Sequence, residues 1–369
     1  MRRSAAPAGR VTEYEWMRLL ATVLVVVGHS VYWNITTAHG GVYYSSDELA
    51  WISPVYLTWP FALLGRAAGW VYGFHMAAFF FLSGAVLALR PVGAVGPFLA
   101  KKAKRLLLPY AVCGLLWMFP LKLLTGFYTP QSLPQALAAF ALGGDDSGHL
   151  WFLLALFWCM TTFALLEKTA DWLLRGGAAV LKLPVLLLAA AALHLGSGHI
   201  PQLFGLRNAA QYFIWFVLGW AFEPVRRAIA ALPARRGTLV YAAGFTAVIG
   251  GWYAAARLGL AGARLTMLLG CAWLYLLAAL CARLLRRAES TRLWRTVTAS
   301  LFWVYLVHDP LEHLLLHLFM ENRWLAFGAG CGAYLLARTA GVFAFSVAVY
   351  VLRQKLQGKF SQKQRMKAL

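Results

Sequence analysis

Apolar residues fall along this chain in blocks of about twenty, the length a helix needs to cross a bilayer at about 1.5 Å of rise per residue. Ten blocks can be drawn, at about 16–35, 70–90, 106–125, 149–166, 184–200, 208–223, 238–256, 265–283, 299–319 and 325–352. The pattern predicts an all-α polytopic membrane protein of about ten transmembrane helices, with no repeat of fixed period and no second soluble domain. The first block, WMRLLATVLVVVGHSVYWN over 16–34, carries Arg18 near one end and His29 well inside. Ionisable side chains at membrane depth are costly, so each must be held by something. The separation of the two makes about three helical turns and roughly 16 Å of rise, so both project from nearly the same face. That suits a site inside a helical bundle better than an anchor facing lipid.

Composition points the same way. Hydrophobic residues make up 61% of the chain and charged ones only 13%, against roughly 25% charged in a soluble domain. A net charge of +21 could signal nucleic acid, but the basic residues lie in short clusters between the apolar blocks, where they act as topology signals. With the N-terminus inside, 27 of the 34 Lys and Arg face the cytoplasm, which places both termini there. The expected organisation is one transmembrane domain over 1–353 and a basic tail over 354–369 on the inner leaflet. Cys113, Cys159, Cys271, Cys281 and Cys331 fall in or beside apolar blocks without metal-ligand spacing and read as small buried hydrophobes. Met1-Arg2-Arg3 resembles the start of a signal peptide, but Glu13 and Glu15 intervene before the apolar run.

Two outward segments are long. Residues 36–69 contain Asp47-Glu48 and the tryptophans Trp51 and Trp59, which point to an interfacial helix. Residues 126–148 contain Pro130, Pro134 and Asp145-Asp146. Aromatic and acidic loops of this kind can contact sugars, although interfacial aromatics also serve as anchors.

Candidate chemistry lies with His29, His75, His149 and His308, since a neutral imidazole can take a proton from a hydroxyl near pH 7. His75 precedes FFFLSG at 79–84, where Ser83-Gly84 allows a neighbouring helix or ligand close to the backbone. Lys101, Lys102, Lys104 and Arg105 lead to Pro109 at the expected start of the third helix. A basic cluster there can hold phosphates with side chains and free backbone N–H groups; it serves equally as a positive-inside signal. In the ninth block His308 and Glu312, or His313 and His317, share a face at a spacing that zinc sites use. Pro310 is expected to break the ladder there, and an ion pair or a helix-end network facing the outer water fits that stretch better than a metal.

Taken in order, Arg18 and His29 with ten residues between them, FFFLSG at 79–84, the basic run ending in Arg105 with Pro109, HLWFL at 149–153 and YLVH at 305–308 resemble the acyltransferase family 3 integral membrane proteins. The resemblance covers nearly the whole chain. It implies a ten-span enzyme of the cell membrane that takes an acyl group, acetyl by default, from cytoplasmic acyl-coenzyme A. The acceptor it implies is a hydroxyl at the outer side, typically on the carbohydrate of a surface glycan or glycolipid. By the same resemblance His29 is the general base and Arg18 orients the pantetheine or a phosphate. Arg105, with Lys101 and Lys102, holds phosphate at the inner mouth, while His75, Ser83, Trp151 and His308 fall to the acceptor or oxyanion side. No permanently bound cofactor and no metal are expected; acetyl-CoA is a substrate. Direct transfer and a transient acyl-imidazole both fit. A proton-coupled transporter or a glycan flippase shares the ten spans and intramembrane histidines, but neither requires Arg18 with His29 and the Arg105 cluster.

The charge count generates a topology prediction: a reporter fused after Leu369 reads cytoplasmic. A periplasmic signal inverts the map.

Overall fold

Long runs of Leu, Ala, Val and Phe without turn residues favour helix, and helix is what they form. A computed structural model describes residues 11–32, 34–44, 59–90, 92–174, 179–260, 262–322 and 328–367. Arg2, Arg3, Arg10, Arg175, Asp47-Glu48 and Trp51 lie outside the described residues. The chain opens with α1 (Thr12–Ser30) and a short hairpin in which β1 (Ile35–Thr36) pairs antiparallel with β2 (Gly41–Val42). There follow α2 (Trp59–Tyr72), α3 (His75–Leu87), α4 (Val95–Cys113), α5 (Phe119–Leu124) and α6 (Leu133–Ala141). Then come α7 (Trp151–Leu174), α8 (Ala179–Gly196), α9 (Leu206–Ala230), α10 (Ala234–Arg257) and α11 (Ala263–Leu284). The last elements are α12 (Arg286–Glu289), α13 (Arg292–Glu321), α14 (Gly328–Leu336) and α15 (Val342–Lys367). A π turn over Gly114–Met118 joins α4 to α5, and another over Ala337–Gly341 joins α14 to α15.

Among the described residues six helical stretches are long and apolar enough to cross a membrane, and the pair Leu63–Tyr72 and His75–Leu87, bent by 45°, makes a seventh. The other three of the ten expected spans are α1, α9 and α13. They form as helices, but Glu13, Glu15 and Arg18, then Glu223, Arg226 and Arg227, then Asp309 and Glu312 make them more polar than a lipid-facing span. These polar helices form much of the interior, and α1 packs against α2, α3, α11, α13 and the second π turn.

Two expectations are corrected. The third helix begins at Val95 rather than near 106, because Pro97 falls in its first turn, where proline is tolerated, and the basic residues that follow are good helix formers. Lys101, Lys102 and Arg105 therefore stand inside α4, where backbone N–H groups are already used by the helix, and Pro109 is internal to it. Pro310 does not end α13, which continues to Glu321. The described part of the basic segment beyond residue 353, up to Lys367, is helical and continuous with α15.

Contacts at one end of the bundle group the segments that the charge count put together. Tyr14 donates to Glu223 at 2.5 Å, Arg226 and Arg227 bind that same carboxylate at 2.8 Å, and Trp16 Nε1 donates to Glu289 at 2.8 Å. The start of α1, the end of α9 and α12 thus share one end. At the opposite end Asp146, fully buried, accepts from Thr37 Oγ1 at 2.6 Å and from Tyr128 Oη at 3.1 Å, with His39 Nδ1 at 2.6 Å. This carboxylate of the acidic loop is spent on holding the hairpin to the 126–148 segment.

The FFFLSG stretch forms a tight helix seam. A Cβ on Gly84 would lie 1.9 Å from the Phe216 carbonyl oxygen, and one on Gly219 would lie 1.8 Å from that of Phe81, so α3 and α9 touch backbone to backbone. Gly84→Ala must push these helices apart. A loss of about 1–3 kcal/mol or more is expected, read as a lower melting temperature in detergent; an unchanged value would mean the seam opens without cost.

Candidate active site

The centre of the bundle is built around Asp309 on α13, whose side chain is only 7% exposed. A buried carboxylate needs donors on both oxygens. His29 Nδ1, one residue from the end of α1, lies 3.3 Å from Oδ1, and His149 Nδ1 lies 3.2 Å from Oδ2. Lys122 Nζ on α5 stands 3.7 Å from Oδ2 and 4.3 Å from the Phe127 ring centre, and His313 Nε2 stands 3.8 Å from Oδ1. Because Asp309 faces Nδ1 of His29, that nitrogen donates and Nε2 keeps its lone pair outward. The exposures assign the roles: the side chains of His149 and Lys122 are 4% and 2% exposed, whereas that of His29 is 20% exposed. His29 is the accessible member of an otherwise buried cluster.

Local backbone chemistry delivers each partner. Pro310 has no N–H, so the carbonyl four residues earlier, on Leu306, is free of the helix ladder. His149 Nε2 at 3.2 Å and the Cys113 thiol at 3.1 Å fill it. Tyr305 Oη donates to the His149 carbonyl at 2.7 Å, which ties YLVH to HLWFL. Gly148 has φ +52°, a left-handed conformation suited to glycine, and a Cβ there would sit 3.1 Å from Met118 Sδ and 3.4 Å from Lys122 Nζ.

A second ionic pair closes the cluster beside the end of α1. Arg338, 1% exposed, projects from the Ala337–Gly341 π turn and pairs with buried Glu312 at 3.4 Å. Its guanidinium donates to the carbonyls of Ser30 at 2.8 Å, Tyr32 at 3.1 Å and His29 at 3.0 Å, and to Tyr334 Oη. It therefore caps the end of α1 and fixes the backbone of His29.

The structure brings some of the expected residues to this centre and leaves others elsewhere. His308, 1% exposed, packs edge-on to His29 and to His149 at 5.0 and 5.1 Å between ring centres. His75 places Nδ1 3.2 Å from the Val71 carbonyl and reaches the cluster through Tyr72, at 4.7 Å between rings. Ser83 donates to Phe79 of its own helix at 2.8 Å, and Trp151 packs against Tyr212 at 5.7 Å. Arg18 lies three turns along α1 from His29, donating to the Thr298 carbonyl at 3.1 Å. On α4, Lys101 and Arg105 are exposed and Lys102 lies over the Phe98 ring at 5.1 Å. Sequence reasoning did not single out Lys122 or Arg338 and left Asp309 and Glu312 without roles. The available signal was their position: each is an ionisable residue inside an apolar run.

The buried pair generates a stability prediction. Arg338→Met strands Glu312 without a counter-charge and should cost about 3–5 kcal/mol, while Arg338→Met with Glu312→Leu should recover much of that loss. Thermal unfolding in detergent decides, and a single substitution that costs nothing would show the pair to be idle.

An accessible histidine backed by a buried carboxylate, deep in a helical bundle, is a constellation able to take a proton from a hydroxyl. No curated protein and no solved structure matches the chain. The family model described as an acyltransferase domain, Acyl_transf_3, matches residues 11–351, from the residue before α1 into α15 and across every residue of the cluster. The chain is thus a member of acyltransferase family 3, with this cluster at the heart of the matched domain.

Proposed function

We propose that the protein is a membrane O-acyltransferase that moves an acetyl group from cytoplasmic acetyl-CoA to a hydroxyl of an extracytoplasmic or lipid-linked glycan. The observation that carries this reading is the 3.3 Å contact of His29 Nδ1 with Asp309 in a cluster where His29 alone is accessible to a substrate. Family membership supports acyl transfer; the acetyl donor, the glycan acceptor and the role of His29 belong to the proposal.

In this mechanism His29 Nε2 removes the proton of the acceptor hydroxyl as its oxygen attacks the thioester carbonyl carbon. Asp309 stabilises the imidazolium that forms, in the manner of a carboxylate–histidine pair. The tetrahedral intermediate collapses with cleavage of the C–S bond, and the departing thiolate takes the proton from His29. Arg18, about 16 Å away along α1, is far enough from the reacting centre to hold another part of the coenzyme. Lys101, Lys102 and Arg105 would receive its phosphates by side-chain contact, since α4 offers no free N–H groups at their level.

Acetyl-CoA binding to the purified protein in nanodiscs tests the donor. Saturable binding by the wild type is expected, weakened by Arg18→Ala and largely kept by His29→Ala, while His29→Ala lowers transfer by about 10²–10⁴-fold. Absence of binding would overturn the reading and return the histidines to proton carriage in a transporter.

A further inference from the structure

Acyl transfer needs a base for the acceptor hydroxyl and also a donor for the negative charge that develops on the thioester oxygen. The expected donors are poorly placed, since Ser83 is spent on Phe79 and His75 faces the Val71 carbonyl. Another hydroxyl stands beside His29. Tyr72, the last residue of α2, lays its ring over the backbone of Gly28; a Cβ on that glycine would come within 2.7 Å of Tyr72 Cε2. Its ring centre is 5.8 Å from that of His29, 4.7 Å from that of His75 and 5.0 Å from that of Tyr32.

That hydroxyl is buried and has no hydrogen-bond partner among the described residues. Leaving a buried donor unpaired costs free energy, so its persistence calls for a partner that arrives with the substrate. A second unspent atom belongs to His308, whose ring packs edge-on against that of His29. His308 Nδ1 faces the carbonyls of Val304 at 3.1 Å and Tyr305 at 2.9 Å and so carries the proton, leaving the Nε2 lone pair buried and unpartnered among the described residues. The accessible imidazole is therefore flanked by one unused donor and one unused acceptor, the two complements that a thioester carbonyl and a hydroxyl-bearing acceptor supply.

We propose that the Tyr72 hydroxyl is the oxyanion donor: it hydrogen-bonds the thioester carbonyl oxygen and holds the charge that forms there. This rests on the acyltransferase reading above. The acceptor oxygen bonds to the carbonyl carbon, the C=O π electrons move to the oxygen held by Tyr72, and the proton goes to His29. They return as the C–S bond breaks and coenzyme A leaves as its thiol with that proton. Tyr72 lends its hydrogen bond throughout and keeps its proton.

The test is the carbonyl stretch of 13C-labelled acetyl-CoA bound to the protein in nanodiscs without acceptor, compared between wild type and Tyr72→Phe. The wild type should lower the stretch relative to free acetyl-CoA, and Tyr72→Phe should lose at least half of that shift while binding acetyl-CoA with similar affinity. Since the hydroxyl has no protein partner to lose, the variant should melt no lower than wild type. A stretch that is the same in both proteins, with acetyl-CoA bound, overturns the role of Tyr72 and leaves the acyltransferase reading standing. Failure of the wild type to bind acetyl-CoA overturns both. With turnover established, Tyr72→Phe should reduce kcat by about 10²–10³-fold with little change in KM for acetyl-CoA.

Discussion

A carboxylate in the interior of a membrane protein survives only if its neighbours neutralise it, and the arrangement of this bundle follows from satisfying Asp309. Two histidines and a lysine meet its oxygens from α1, from the turn before α7 and from α5. A short polar gathering inside an otherwise apolar bundle has few routes to stability, because the helices bringing its members must arrive at the same depth. Deep ionisable groups also come in pairs of opposite type here. Lys122 lies 3.7 Å from Asp309 and Arg338 lies 3.4 Å from Glu312, so each deep carboxylate has a basic partner.

This balance has a catalytic reading. A histidine held only by packing can rotate, whereas His29 is fixed at Nδ1 by a carboxylate and through its own carbonyl by Arg338. What remains adjustable is the outward nitrogen, which is the atom that general-base chemistry uses. Preorganisation of this sort places the cost of assembly on the folded protein, ahead of substrate binding.

The sequence reading located the helices well because a twenty-residue apolar block is a strong, local signal. It also singled out His29, a titratable residue at a depth where few occur, which the structure places beside Asp309. It was weaker wherever the meaning of a residue depended on a remote partner. Lys122 and Arg338 carry the same charge as the basic clusters read as topology signals, and the groups they meet lie far away in the chain: Lys122 faces Asp309, and Arg338 donates to the His29 carbonyl, 309 positions away. Asp309 sits beside a proline that resembles a helix end, and only the continuation of α13 shows that it is central. The π turn that aims Arg338 has no readable period at all, and π turns of this kind recur at functional sites.

Pro310 illustrates how a membrane interior can acquire polarity without acquiring charge. By withholding one backbone proton it turns the Leu306 carbonyl into a fixed, neutral dipole pointing at His149. No side chain has to be desolvated for this, and no counter-ion is required. To a genetic screen, replacing Pro310 by a better helix former would look like repair, since the ladder would close. The repaired helix would then compete with His149 for its anchor, so gains in helical regularity and in function would pull in opposite directions at this position.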